Sequence, residues 1–282
     1  MLGTAFTGLE LSSPGRMKTS ETQRATVTYA DLQAFCLFIG YPKSGHSLVG
    51  ALLDAHPDVV IAKAMNPLAL LAVDGIPRDE VFARVIASSR DEAARGRKQN
   101  KYRYGVEGQW QGRTRALCVL GDKFSDRTTK RIAKSPDALT TFAREVGVPL
   151  RLIHVVRNPF DMVTRIAKQK IKDGTGEERR AKATAYIARL AQANDKVITA
   201  GDPPVLTVRQ EALVERPQAE LARMCEFLGV EAEREYLDAC AAIVFESPHR
   251  TRDLVEWSEE QIAAVDEVIA RHSFFDGYSF AG

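Results

Sequence analysis

Phe35-Cys36-Leu37-Phe38-Ile39 is an unbroken apolar run that stops at Gly40-Tyr41-Pro42, the pattern of a strand buried on both faces. Behind it, Leu48, Val49, Leu52, Leu53 and Ala55 recur at helical spacing until Pro57 ends them. Val59-Val60-Ile61 reads as a second strand and completes an opening β-α-β unit. Further strands are expected at Ala116 to Leu120, Leu150 to Val156 and Val205 to Val208. Helical periodicity lies between them, at about residues 78–97, 137–145, 160–172, 178–200 and 217–228. A last helix opens on Ser258 with Gln261 three places on, a capping-box spacing, and runs through Ile262, Val265 and Ile269. Strands alternating with helices predict an α/β fold: a mostly parallel central sheet flanked by helices. Residues 1–30 are polar and aperiodic and are expected to be a flexible tail, with 31–282 as one domain. Ligands of such sheets sit beyond the carboxyl ends of the strands, so the residues just after each strand matter most.

Composition narrows the picture only a little. Lys and Arg number 39 against 37 Asp and Glu, a net charge of +2, which argues against a nucleic-acid binder. No apolar run approaches the roughly 18–20 residues of a membrane-spanning helix. With no signal-like start at residues 1–16, a soluble cytoplasmic protein is expected. Cys36, Cys118, Cys225 and Cys240 read as reduced core residues, and the five histidines show no metal-ligand grouping.

Gly40-Tyr41-Pro42-Lys43-Ser44-Gly45-His46-Ser47 joins a buried strand to a helix, the setting of a phosphate loop. Backbone N–H groups and the partial positive charge of a helix N-terminus favour phosphate or sulfate there. Gly45 permits close backbone approach, and the Ser44 and Ser47 hydroxyls can donate to an anion. The nucleotide-hydrolysing pattern places lysine after the second glycine; here that place is His46 and the lysine is Lys43. Arg157-Asn158-Pro159 ends another strand, with Asn158 able to cap and Pro159 suited to the first helical position. Arg157 therefore lies at the ligand-binding edge, where a guanidinium fork matches a phosphate.

The loop Pro42-Lys43-Ser44-Gly45-His46-Ser47, continued by Leu53-Asp54-Ala55-His56-Pro57-Asp58-Val59, resembles that of sulfotransferases using 3′-phosphoadenosine 5′-phosphosulfate (PAPS), with His46 as the departure. The resemblance is to the bacterial and tyrosylprotein-type members, and it implies a P-loop-like nucleotide-binding fold. It also implies that Lys43 meets the sulfuryl group and the bridging oxygen while loop amides hold the 5′-phosphate. Arg157 with Asn158-Pro159 resembles the family's 3′-phosphate motif, which has a Ser or Thr eight residues after the arginine. Here that place is Arg165 with Thr164 one earlier, so either residue is a candidate. Ser247-Pro248-His249-Arg250-Thr251-Arg252 resembles the basic segment closing over the 3′-phosphate, making Arg252 and then Arg250 candidates. Val208-Arg209-Gln210-Glu211-Ala212-Leu213 is similar to a further, structural motif of the family.

Sulfuryl transfer to a hydroxyl or amine acceptor needs cationic groups on the leaving phosphate and a base on the acceptor. It calls for no metal, and the product is 3′-phosphoadenosine 5′-phosphate (PAP). Relatives carry a glutamate shortly after the His-Pro-Asp-Val stretch, but here the residues are Ala62-Lys63-Ala64-Met65-Asn66. Asp122 and Lys123, expected at a strand end, are the leading catalytic candidates; Lys63, Glu107, His46 and His154 are others. His154, inside a strand, is expected to be a core residue. The basic stretches 90–103 and 165–182 are expected to be solvated faces or the cleft rim, and Tyr102 to Trp110 either a lip over the acceptor or a surface loop packed by its own aromatics. Two other readings stay open: a Mg-ATP phosphotransferase with a degenerate phosphate loop, and a non-catalytic module that binds PAP or PAPS.

Overall fold

The computed structural model describes residues 29–99 and 102–282; of the tail expected at 1–30, residues 1–28 lie outside them, while Tyr29 packs edge-on against Phe82 at 5.1 Å. In chain order the first half contains β1 (Ala34–Gly40), α1 (His46–Leu53), β2 (Val59–Lys63), α2 (Pro67–Ala72) and α3 (Arg78–Ala94). The short antiparallel pair β3 (Lys98–Gln99) and β4 (Tyr102–Arg103) follows, then β5 (Val119–Lys123), α4 (Asp126–Lys134) and α5 (Asp137–Val146). The second half contains β6 (Leu150–Val156), α6 (Pro159–Gln169), α7 (Gly176–Ala200), β7 (Val205–Arg209) and α8 (Gln210–Glu215). It closes with α9 (Pro217–Leu228), α10 (Arg234–Ala241), a 3-10 turn at Thr251–Leu254 and α11 (Glu259–Ala270).

Five strands form one all-parallel sheet in the order β2-β5-β1-β6-β7, as the alternating pattern predicts. β1 shows why its sequence is apolar throughout. Phe35, Leu37 and Ile39 enter one core with Phe82 and Phe142, while Cys36 and Phe38 enter the opposite core with Leu48, Leu52 and Met224. Side chains alternate along a strand, so a sheet covered on both faces demands apolar residues at every position. A third cluster, with Phe160, Ile187 and Val265, fastens α6 and α7 to α11. All four cysteines are free, and three of them are buried.

The third long strand lies three residues later than its apolar pattern suggests, at Val119–Lys123. Gly121 and Asp122 pair with Cys36 and Leu37 on one side, and Asp122 and Lys123 with Ala62 and Lys63 on the other. Two polar residues therefore complete a central strand. Helix α4 has a mostly polar sequence, with Ile132 its one large buried apolar residue, so periodicity does not reveal it. Helix α3 ends at Ala94 because Gly96 and Arg97 take positive φ and Arg97 turns inward to pair with Asp54.

The order places a switch point at β1. The chain builds outward to β2 on one side and later to β6 and β7 on the other, leaving a crevice at the carboxyl end between β1 and β6. Gly40 pairs with Val155, so the loop after β1 and Arg157 after β6 emerge side by side.

Candidate active site

The loop turns sharply because two positive-φ residues, Lys43 at φ 70° and Gly45 at φ 93°, flank Ser44 within it. A Cβ on Gly45 would lie 2.7 Å from Cγ of Gln210, so glycine is required by conformation and by packing. The Ser44 hydroxyl is fully buried and donates to the Tyr41 carbonyl at 2.9 Å, which turns it inward and away from the cleft. His46 Nδ1 lies 3.1 Å from the same carbonyl, so Nδ1 carries the proton and Nε2 keeps a lone pair. Burial, helped by Lys123, pushes the His46 pKa down to about 3, and the ring is neutral at physiological pH.

A cavity of about 220 Å³ lies above this loop. Its lining brings Lys43, Arg157, Arg165 and Lys170 together with His46, Ser47 and the carboxylate of Asp126. That carboxylate is already engaged by the Tyr186 hydroxyl at 2.9 Å and by Lys130 at 3.2 Å. Burial opposes its charge, but Lys170, Tyr186 and Lys130 outweigh burial and hold Asp126 below the usual carboxylate range. Excess positive charge thus remains in the cleft. Burial, reinforced by Arg165 and Lys170, lowers the pKa of Lys43, whose ammonium donates to Gln169 Oε1 on α6.

Arg157 donates to the His249 carbonyl and sits 3.7 Å from Asp161. Its Nε, and that of Arg165, are buried without a partner among the described residues. Both arginines line the cavity, and their buried, incompletely paired guanidinium charge favours an anion there. The lining also carries an aromatic group: Tyr102 stacks on Tyr104 at 6.2 Å, and Phe245 meets Tyr102 and His249 edge-on or tilted.

A smaller cavity, about 20 Å³, shares Ser47 and Tyr104 with the first and is lined by Lys63, Glu92, Arg97 and Lys123. Lys123 Nζ donates to Ser47 Oγ at 3.3 Å. Burial lowers the Lys123 pKa to about 8, although Asp122 works against it. Its stem lies flat on α1, where a Cβ on Gly50 would come within 2.9 Å of Lys123 Cγ. Glycine at position 50 therefore makes room for this lysine.

The remaining candidates lie elsewhere. Asp122 is fully buried; its two oxygens accept the N–H groups of Met65 at 2.9 Å and Asn66 at 3.1 Å. It pins the turn after β2, where Ala64 and Asn66 have positive φ, and lines neither cavity. Burial raises its pKa to about 6. Thr164 donates back to the Phe160 carbonyl at 3.0 Å and is buried, whereas Arg165, one residue on, faces the cleft. Arg252 is 3% exposed and donates to Asp161 at 2.7 Å and to the Phe280 carbonyl. It clamps the 3-10 turn to α6 rather than entering the cleft. Arg250 is exposed, with Asp253 and the Ala281 carbonyl as partners. Glu107 is exposed outside both linings, and His154 is buried in β6 against Tyr41 and Phe274. Glu92 is not among the sequence candidates, although it extends the buried stripe Val85-Ser89 of α3 by one turn, an unusual place for a carboxylate.

The sequence profile described as "Sulfotransferase family" matches residues 37–234, and the chain belongs to that family. No curated protein sequence matches it. Among solved structures, the sulfotransferase domain from the curacin biosynthetic pathway aligns at 14% identity and TM-score 0.51, over 86% of this chain and 98% of that one. A mouse sulfotransferase complexed with PAP aligns at 12% identity and TM-score 0.47, over 85% and 84% of the two chains. A sulfotransferase from Alicyclobacillus acidocaldarius aligns at 17% identity and TM-score 0.44, over 84% and 92%. The first of these establishes likeness of fold, and the family match establishes sulfuryl transfer as the class of chemistry.

Proposed function

We propose that the protein transfers a sulfuryl group from PAPS to a hydroxyl or amine acceptor. The observation that carries this reading is one cavity lined by Lys43 and Ser47 of the loop after β1 and by Arg157 and Arg165, which follow β6. The donor is a single molecule with anionic groups at both ends, and it supplies the transferable sulfuryl group. The loop amides and the α1 N-terminus hold its 5′-phosphate, and Arg157 and Arg165 hold its 3′-phosphate. Lys43 leaves Gln169 to meet the oxygen on which negative charge develops. Lys123, steadied by Ser47, adds a second cation on the acceptor side. The aromatic group offers stacking surface to the adenine or the acceptor.

Titration calorimetry tests the donor assignment. PAP is expected to bind with a dissociation constant at least tenfold below that of ADP, with no requirement for Mg²⁺. Equal affinity for the two nucleotides would remove the case for a 3′-phosphate site. Mg²⁺-dependent ATP turnover would replace the reading with a phosphotransferase.

A further inference from the structure

The place where relatives carry glutamate is occupied by Lys63 and Ala64 here, yet a carboxylate reaches Lys63 from another element. Glu92 Oε2 on α3 lies 2.7 Å from Lys63 Nζ at the end of β2. Among the described residues lining the two neighbouring cavities, which share Ser47 and Tyr104, the carboxylates are Asp126 and Glu92. Asp126 meets Tyr186 and Lys130 through Oδ2, where α4 packs on α7, whereas Glu92 stands in the cavity that Lys123 and Ser47 border. We propose that Glu92 is the base that takes the acceptor's proton, and that Lys63 holds it in place.

The local structure suits that task. Asp122 pins the turn after β2 and thereby fixes where Lys63 leaves the sheet. Lys63 in turn holds one oxygen of Glu92, and Arg95 lies 2.9 Å from the other. Arg95 is 67% exposed and its pairing is solvated and weak. Each carboxylate oxygen keeps a further lone pair for an incoming hydroxyl. Burial works against the charge on Glu92, but Lys63, Arg95 and Arg97 outweigh it and keep the group ionised at neutral pH. This proposal rests on the sulfotransferase reading above. In the step, the acceptor oxygen bonds to sulfur while the bond from sulfur to the 5′-phosphate oxygen breaks. The electron pair leaves on that phosphate, next to Lys43, and the acceptor's proton passes to Glu92.

The test uses PAPS with water as the acceptor, read as radiolabelled sulfate released in a single turnover with enzyme in excess. PAP binding is measured in parallel. Glu92→Gln is expected to slow release by about 10²- to 10⁴-fold while PAP affinity stays within threefold. Adding Lys63→Glu to Glu92→Gln returns a carboxylate to the same spot and is expected to recover at least tenfold. Release by Glu92→Gln within threefold of the parent overturns the proposal. So does a loss that the double variant leaves unrescued, which would mark Glu92 as a packing partner only. Parent protein that binds PAP but releases no sulfate also overturns it, because a poised base beside water turns over its donor. A parent that fails to bind PAP instead defeats the donor assignment.

Discussion

The two halves of the active cleft are built differently. The anion-gripping half comes from two short segments, Gly40 to Ser47 and Arg157 to Arg165, each following a central strand. The proton-handling half draws Lys63 from β2, Glu92 from α3, Lys123 from β5 and Ser47 from α1. A grip on a fixed anion can be written into contiguous loops, because backbone amides and one helix N-terminus do most of the work. Proton transfer needs only one correctly placed carboxylate, and side chains from different elements can supply it.

The sharpest way to separate the halves is to compare Lys43→Ala with Arg157→Ala. Lys43→Ala is expected to lower kcat about 10²- to 10³-fold while leaving PAP affinity nearly intact, as for loss of a group that stabilises developing charge. Arg157→Ala is expected to weaken PAP binding about 10- to 100-fold, the worth of a charge-assisted hydrogen bond, with less effect on kcat. Steady-state rates and calorimetry on the two variants decide the matter. Reversed effects would exchange the roles of the two residues.

A smaller effect tests the other half through pH. Lys123 titrates near 8, below the usual lysine value, so its charged form prevails at pH 7 and disappears as pH rises through about 8. If that charge assists transfer, kcat/KM declines on the alkaline side of pH 8, since this ratio reports groups of the free enzyme. Lys123→Arg is expected to remove the decline by keeping the charge, and an unchanged profile would discount the lysine. The smallest effect concerns Asp122→Asn. An amide keeps one acceptor but puts an NH₂ group against a backbone N–H, so stability is expected to fall by about 1–3 kcal/mol in denaturant titration. Turnover at 25 °C is expected to fall by less than in Glu92→Gln, because a loosened turn shifts Lys63 without removing the Glu92 carboxylate.

What could be read from the sequence follows the same division. The strand-loop-helix signature announced the sheet, the loop and Arg157 because all their determinants are neighbours along the chain. The basic segment after residue 247 misled for a tertiary reason. Asp161 on α6 captures Arg252, and Asp253 engages Arg250, so neither arginine reaches the cleft. Asp122 was drawn to attention by its place at a strand end, but the amides of Met65 and Asn66 consume its oxygens. The choice between Thr164 and Arg165 turned on helical phase, since successive residues on a helix point about 100° apart. Glu92 lay hidden because its importance depends on which strand α3 packs against, a fact no local pattern contains.

A crystal structure of the protein with PAP tests the central claim most directly. The account predicts the 5′-phosphate against the amides of residues 43–47, and the 3′-phosphate within about 3 Å of the Arg157 and Arg165 guanidinium groups. PAP seated away from the loop, or held by the loop with its 3′-phosphate turned toward solvent, would contradict it.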